Sequence, residues 1–194
     1  MAKTQQERRA DTRQRLLTAA RDVIAERGVA GASVDALAEA ADRTSGALYA
    51  QFGNKDGLLL ALLDHWKKAT ANAIEADFEA TSSIDERLRS LWANFINPPA
   101  DGGDAWVLLE HELWLYAGRN PAAREQVAAR YADAREDLGA GLAVPSEVAT
   151  LLIALMIGLE MQRRLDPDAV DDEVALVGLR TLLRASGMDA TQER

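Results

Sequence analysis

The chain contains two histidines, and one of them begins a pattern typical of a zinc site. His111-Glu112 matches the first half of H-E-x-x-H, in which two histidines one helical turn apart bind zinc. Leu115 stands where the second histidine would be, and the other histidine, His65, is distant in sequence. Cysteine is absent, which excludes a thiol nucleophile and cysteine-bound zinc. We therefore expect no metal site.

Motifs for catalysis and nucleotide binding are also missing. The sequence has no P-loop, no G-x-S-x-G and no dinucleotide-binding glycine motif. Carboxylates such as Glu110 and Asp133 show no spacing that indicates acid–base chemistry. We expect neither an enzyme nor a bound cofactor.

A different set of hydroxyl, basic and aromatic side chains lies between positions 33 and 55, within three predicted helices. Ser33 and Thr44 suit the N-caps of two short helices, Val34–Ala41 and Ser45–Gln51. Gly53 then ends the second, and Asn54 caps a long helix from Lys55. Two short helices joined by about three residues form a helix-turn-helix pattern, whose second helix enters the DNA major groove.

A longer helix is predicted before this pair, from Glu7 to Arg27. Its apolar face carries Leu16, Leu17, Ala20, Val23 and Ile24, and Gly28 suits the position just after its end. The three helices together can enclose a small core.

The stretches Ser33–Ala41, Thr44–Tyr49 and Gln51–Leu58 resemble the N-terminal DNA-binding domain of TetR-family transcriptional regulators. The resemblance is carried by Gly-x-Leu-Tyr-x-x-Phe with a nearby lysine and covers residues 10–60. It implies an all-α fold of about nine helices in two domains. These are a three-helix helix-turn-helix domain at 1–54 and a larger helical bundle at 55–194 for ligand binding and dimerisation.

The resemblance also implies roles for single residues. Thr44, Tyr49 and Lys55 correspond to positions that contact phosphate, and Ser45 and Gly46 lie nearest the bases. Taken separately, Tyr49 could instead pack against Phe52, and Lys55 could be a solvated surface charge. The predicted DNA-binding set is Ser33, Arg43, Thr44, Ser45, Gly46, Tyr49, Gln51 and Lys55.

Four positions depart from the family pattern. Asp42 replaces the usual glycine of the turn, Arg43 replaces a small apolar residue, and Ser45 and Ala50 replace residues that are often basic or large. Few bidentate base readers remain, so Gln51, Arg43 or DNA shape would supply specificity. The alternative is a helical small-molecule-binding or interaction module with weak or lost DNA binding.

The remaining two thirds of the chain is also predicted to be helical. After the long helix from Lys55, helices are expected at Ile84–Ile96, Ala105–Gly118, Ala122–Leu138, Ser146–Leu165 and Asp171–Ala185, with a loop over 97–103. The Leu151–Leu159 stretch is apolar all round, and the last helix is apolar on more than one side. We expect a homodimer through these two helices, with a buried monomeric core as the alternative.

A ligand pocket is expected in the second domain, where aromatic residues accompany a few polar groups. The candidate lining residues are Trp92, Phe95, Glu110, His111, Trp114 and Met156. The alternative is that the aromatic residues and Met156 belong to the core and that His111 is a hydrogen-bonded core histidine.

Charge is unevenly distributed along the chain. The net charge is −9, but residues 1–68 carry +2 and residues 69–194 carry −11. With no signal or membrane segment, a cytoplasmic location is expected. The sequence thus predicts a dimeric, ligand-responsive repressor that binds a palindromic DNA operator.

Overall fold

In a computed structural model of the chain, residues 4–98 and 104–187 are described, and they form nine α-helices and no strand. This confirms the predicted all-α class for the part of the chain described. The helices are α1 (Gln5–Gly31), α2 (Val34–Ala40), α3 (Ser45–Phe52), α4 (Lys55–Ala80), α5 (Ile84–Ile96), α6 (Asp104–Arg119), α7 (Pro121–Leu142), α8 (Ser146–Leu165) and α9 (Asp172–Ala185).

Two compact units divide the chain, and both contain part of α4 and part of α7. The head unit comprises residues up to 68 and residues 104–127, and the body unit comprises residues 69–98 and 128–187. The long helix therefore contributes Lys55 and its first turns to the head unit and its last turns to the body unit.

The head unit is built around α1, whose predicted apolar stripe is buried. Leu16, Ala20 and Ile24 have no exposed surface, and α1 packs against α2, α3 and α6. Leu48 of α3 and Leu62 of α4 are equally buried. Burial of the apolar face, at about 25 cal/mol per Å², holds α2 and α3 in place, since helices of seven and eight residues are too short to persist alone.

The body unit has its own apolar core, formed by α5, α8 and α9 with the last turns of α4 and α7. Leu88, Leu152 and Leu179 are completely buried there. Polar contacts join the same helices: the Trp92 indole donates to Asp172 at 3.0 Å, and Arg163 pairs with Asp172 at 2.9 Å.

Several helix ends differ from the predicted ones. Helix α1 was expected to end at Arg27, and Gly28 does have a positive φ of 70°, but one more helical turn follows it to Gly31. Helix α7 was expected to end at Leu138 and runs to Leu142, through Gly139 and Gly141. Of the predicted loop at 97–103, residues 99–103 lie outside the described ranges.

Within the described ranges, no single helix is both long and apolar enough to cross a membrane. Among the helices of these ranges, one bent pair, α7 with α8, reaches the necessary length and composition when the two are taken together.

Candidate nucleic-acid interface

The turn between α2 and α3 has the geometry that the sequence predicts. The Ser33 hydroxyl accepts the Ala36 N–H at 3.1 Å and so caps α2. Asp42 takes a left-handed conformation with φ of 53°, which aspartate tolerates better than most residues. The Arg43 N–H then bonds back to the Ala38 carbonyl at 2.9 Å, which closes the turn.

Thr44 is the N-cap of α3, as predicted. Its hydroxyl accepts the Ala47 N–H at 3.2 Å, so one free donor of the first turn is satisfied. The other donors at this end of the helix stay oriented outwards, where the helix dipole favours an anion such as phosphate.

Gly46 and Tyr49 lie on the exposed side of α3, three residues apart. Tyr49 is 51% exposed, so its ring is not packed into the core of the head unit. A Cβ at Gly46 would meet only the Thr44 hydroxyl, at 3.7 Å, so this side of the helix is open to a close neighbour. A phenol beside a bare stretch of helix surface suits contact with a DNA backbone.

The hydroxyl of Ser45 is bonded to the neighbouring helix at the surface of the head unit. It donates to Asp35 of α2 at 2.6 Å, and this bond links the first turns of the two short helices. A base contact by Ser45 would have to use the remaining capacity of the same hydroxyl.

Arg43 and Gln51, the other two candidates for base recognition, also have partners inside the head unit. The Arg43 guanidinium donates to the Asp42 carbonyl at 2.6 Å and lies 3.6 Å from the Asp11 carboxylate of α1. The Gln51 amide donates to the Arg9 carbonyl at 3.1 Å. Through these contacts α1 is linked to the turn before α3 by Arg43 and to the last turn of α3 by Gln51.

Lys55 lies at the start of α4, and its ammonium donates to the Val29 carbonyl just beyond the break in α1. Burial lowers the pKa of Lys55, and the charge of neighbouring Asp56 opposes this shift. The Val29 N–H donates to Glu112 of α6 at 3.1 Å. Helix α4 therefore binds the carbonyl group of Val29, and α6 binds its N–H group. Gly28 permits this, because a Cβ there would lie 2.8 Å from the Glu112 carboxylate.

Two arginines near α3 were not among the predicted site residues. Arg13 places its guanidinium 4.7 Å from the centre of the Phe52 ring, and the Arg9 carbonyl accepts from Gln51. The sequence could have indicated them, because positions 9, 13 and 17 are four residues apart and Leu17 belongs to the buried side of α1.

The structure distributes the six predicted ligand-binding residues over both units. Trp92, Phe95 and Met156 belong to the apolar core of the body unit, while α6 of the head unit carries Glu110, His111 and Trp114. Trp92 and Met156 are almost fully buried, and the His111 and Trp114 rings meet edge to face at 6.3 Å.

A small cavity of about 30 Å³ lies within the head unit and is bordered by other residues. It has room for about two water molecules. Its lining is Asp56, Leu59, Leu60, Leu63, Leu113, Tyr116, Ala122, Ala123, Gln126 and Val127.

The polar edge of this cavity is a chain of hydrogen bonds. Tyr116 donates its hydroxyl to Asp56 at 2.5 Å and accepts from the Asn120 amide at 2.7 Å. The bond to Asp56 raises the pKa of Tyr116 above its usual value. No group of three or more histidine, aspartate or glutamate side chains suited to a metal ion occurs in residues 4–98 and 104–187.

Two family models match this chain in adjacent regions. Residues 16–62 match the model described as bacterial regulatory proteins, tetR family, and residues 83–185 match that of the tetracyclin repressor-like C-terminal domain. A search among curated proteins found no match.

Solved structures with similar folds agree with the family models. A member of the TetR family from Streptomyces coelicolor, SCO1917, is 32% identical with a TM-score of 0.70, over 88% of this chain and 97% of that one. The multidrug binding protein EbrR, complexed with imidazole, is 30% identical with a TM-score of 0.67, over 88% of each chain. GusR from Salmonella enterica shares the fold at 23% identity with a TM-score of 0.75, over 91% and 95% of the two chains.

Proposed function

Because the chain belongs to the TetR family of bacterial regulatory proteins and is thus a DNA-binding transcriptional regulator, not an enzyme, we propose that it is a ligand-released repressor. In this proposal a homodimer binds a palindromic operator through its two α3 helices, and a small molecule ends that binding. The observation that carries the DNA contact is the outward side of α3, with the exposed Tyr49 beside Gly46 and the capped first turn.

The phosphate contacts proposed are those of Thr44, Tyr49 and Lys55. Thr44 caps the start of α3, Tyr49 lies on its exposed side, and Lys55 follows its end. Lys55 retains donors beyond the one that it gives to Val29. Ser33 lies at the first turn of α2, where its neighbouring N–H groups also favour an anion. Base recognition falls to Ser45, Gly46, Arg43 and Gln51, together with DNA shape.

The proposed dimer surface lies on α8 and α9 of the body unit. Along α8 the exposed side carries Leu151, Ala154, Met161 and Leu165, and Leu165 is 87% exposed. Val174 and Val177 add exposed apolar surface on α9. A lone chain leaves this surface in water, whereas an isologous contact with a second copy removes it.

The effector is proposed to be a small organic molecule, and support comes from the relative EbrR, which was solved with imidazole bound. The cavity in the head unit is too small for such a molecule in the described conformation. Effector binding therefore requires side chains to move, either there, around Trp92, Phe95 and Met156 within the body unit, or around Glu110, His111 and Trp114 within the head unit. The ligand then binds one conformation of the protein better than the other, and it changes the affinity for DNA by shifting the protein towards that conformation.

The internal hydrogen bonds of Ser45, Arg43 and Gln51 favour a second candidate function, a ligand-binding protein with weak DNA affinity. The two are separated by selecting binding sites for the full-length chain from a library of random-sequence duplexes. The proposed repressor enriches an inverted repeat, and its affinity falls steeply with salt. Failure to enrich any sequence at low salt contradicts the proposal.

Tyr49→Phe tests the proposed phosphate contact on the enriched duplex. Loss of one hydroxyl contact is expected to weaken binding about fivefold, since a net hydrogen bond contributes about 1 kcal/mol. Tyr131→Phe, on α7, is the matched control and should bind as the wild type does. Equal affinity of the two variants, measured by fluorescence anisotropy, removes the role assigned to the Tyr49 hydroxyl.

A further inference from the structure

The buried stripe of α1 continues towards its N-terminus as arginine. Leu17, Ala20 and Ile24 face the other helices of the head unit, and stepping back from Leu17 by four residues at a time reaches Arg13 and Arg9. Residues four apart share one side of a helix. The two arginines therefore lie on the side of α1 that faces α3.

Both arginines are exposed, and the Arg9 backbone and the Arg13 side chain contact the C-terminal end of α3. The Gln51 amide donates to the Arg9 carbonyl at 3.1 Å, and the Arg13 guanidinium lies 4.7 Å from the Phe52 ring centre. This stretch of α1 is well-formed helix, because Thr4 and Glu7 make a reciprocal capping box at its start.

The neighbouring acids are bound by other groups. Asp11 pairs with Arg15 at 3.2 Å and with Arg43 at 3.6 Å, and Glu7 accepts the Thr4 N–H at 2.6 Å. Among the described residues no carboxylate forms an ion pair with Arg9 or Arg13, so both add positive charge beside α3. Guanidinium groups in such a place suit phosphate, which they bind through paired N–H donors.

We propose that Arg9 and Arg13 bind phosphates of the DNA strand that borders the groove occupied by α3. This inference rests on the proposed function and extends the DNA interface to α1, which the predicted residue set does not include. Because Gln51 and Phe52 join the two helices, phosphate contacts by α1 set the depth and tilt of α3 in the groove. They position the recognition helix and read no sequence themselves.

The test measures how the affinity for DNA depends on salt. The probe is a fluorescein-labelled duplex carrying the inverted repeat that the wild-type chain enriches, titrated by anisotropy over a series of KCl concentrations. Each phosphate contact contributes about 0.9 to the slope of log affinity against log salt. Arg9→Gln and Arg13→Gln should each lower the slope by about 0.9, and the double variant by about 1.8.

Arg27→Gln is the matched control, because Arg27 is an exposed arginine at the other end of the same helix. It removes the same charge and should leave the slope unchanged. Arg9→Lys keeps a cation at the phosphate and should keep a slope close to that of the wild type.

Two results overturn the proposal. One is a slope for Arg9→Gln and Arg13→Gln equal to that of Arg27→Gln. The other is weaker binding at an unchanged slope, because a purely structural role of the arginines lowers affinity without removing a phosphate contact. Either result leaves the proposed repressor function standing, whereas a wild-type chain that binds no DNA contradicts both.

Discussion

Gly57 occupies a place in the first turn of α4 where no side chain fits. A Cβ built there would lie 2.1 Å from the Phe52 carbonyl oxygen, a backbone atom of α3 that cannot turn aside. The close approach lets the Gly57 N–H bond to the Asn54 side chain at 2.8 Å, which caps α4 directly after α3 ends. The angle between α3 and α4 therefore depends on glycine at position 57, because a side chain there would push the two helices apart.

Gly57→Ala is therefore expected to lower the free energy of unfolding by about 2 kcal/mol, in the range for overpacked sites. The measurement is urea unfolding followed by circular dichroism, at one protein concentration for all variants. Gly118→Ala is the control, because a Cβ there meets nothing within 4 Å and alanine favours helix. A Gly57→Ala protein as stable as the control would show that α3 and α4 can separate without strain.

For single residues, the sequence predicted backbone caps and turns better than it predicted the hydrogen-bond partners of side chains. The caps Ser33, Thr44 and Asn54 and the left-handed Asp42 follow from local chemistry within a few residues, and the structure contains all of them. The partners of Ser45, Arg43 and Gln51 depend on how separate helices pack, which residue spacing does not encode. This is why side chains expected at DNA are found bonded within the head unit.

At the scale of helices, the end of α7 shows the limit of the sequence pattern. The predicted helix ends at Leu138, but α7 continues through Gly139 and Gly141 to Leu142. A Cβ at Gly141 would lie 2.8 Å from the Phe78 ring, so this glycine makes room for an aromatic side chain from α4. Glycine in a helix has two physical causes, helix termination and close packing, and a single sequence does not distinguish them.

Helices α5 and α9 are joined by Asp85 and Arg180, which gives the body unit a dependence on pH. The Arg180 hydrogen bond lowers the pKa of Asp85 below its ordinary value of 3.8, and burial opposes this shift. An acid with a lower pKa in the folded state adds stability above the unfolded value, and this stability is lost as pH falls through the folded value. The contribution is therefore complete above 3.8 and disappears below it.

Asp85→Asn should lower the free energy of unfolding near neutral pH by at most about 1 kcal/mol, since water screens this partly exposed carboxylate. Its difference from the wild type should shrink as the pH falls below 3.8. Urea unfolding at a series of pH values tests this, with Asp168→Asn, in the exposed turn after α8, as the control for charge. A difference that stays constant with pH would contradict the assigned ion pair.

At the scale of the whole molecule, charge is distributed more finely than a division of the sequence indicates. Residues 4–68 carry +1, but residues 104–127 add four acidic and two basic side chains, so the described part of the head unit has a net charge of −1. The attraction to phosphate must therefore come from local surfaces, such as the capped start of α3 and the arginines of α1. The negative net charge repels DNA and so opposes nonspecific binding.

A dimer is needed for the proposed palindromic operator, and Gly158 offers a direct test of its surface. Gly158 lies on α8 between the exposed residues Ala154 and Met161, and a Cβ there meets nothing within 4 Å. Gly158→Arg should leave the single chain folded, because the new side chain has open space. It should block the close approach of a second α8, so light scattering should give the 21.0 kDa of one chain where the wild type gives twice that mass.

The matched control is Gly118→Arg on α6, an equally open glycine outside the proposed dimer surface. This variant should remain a dimer and bind the operator duplex as the wild type does. Gly158→Arg should bind that duplex at least about 100-fold more weakly, because each half-site then binds without a linked partner. If Gly158→Arg remains dimeric, the two copies meet elsewhere, and the exposed apolar side of α8 needs a different explanation.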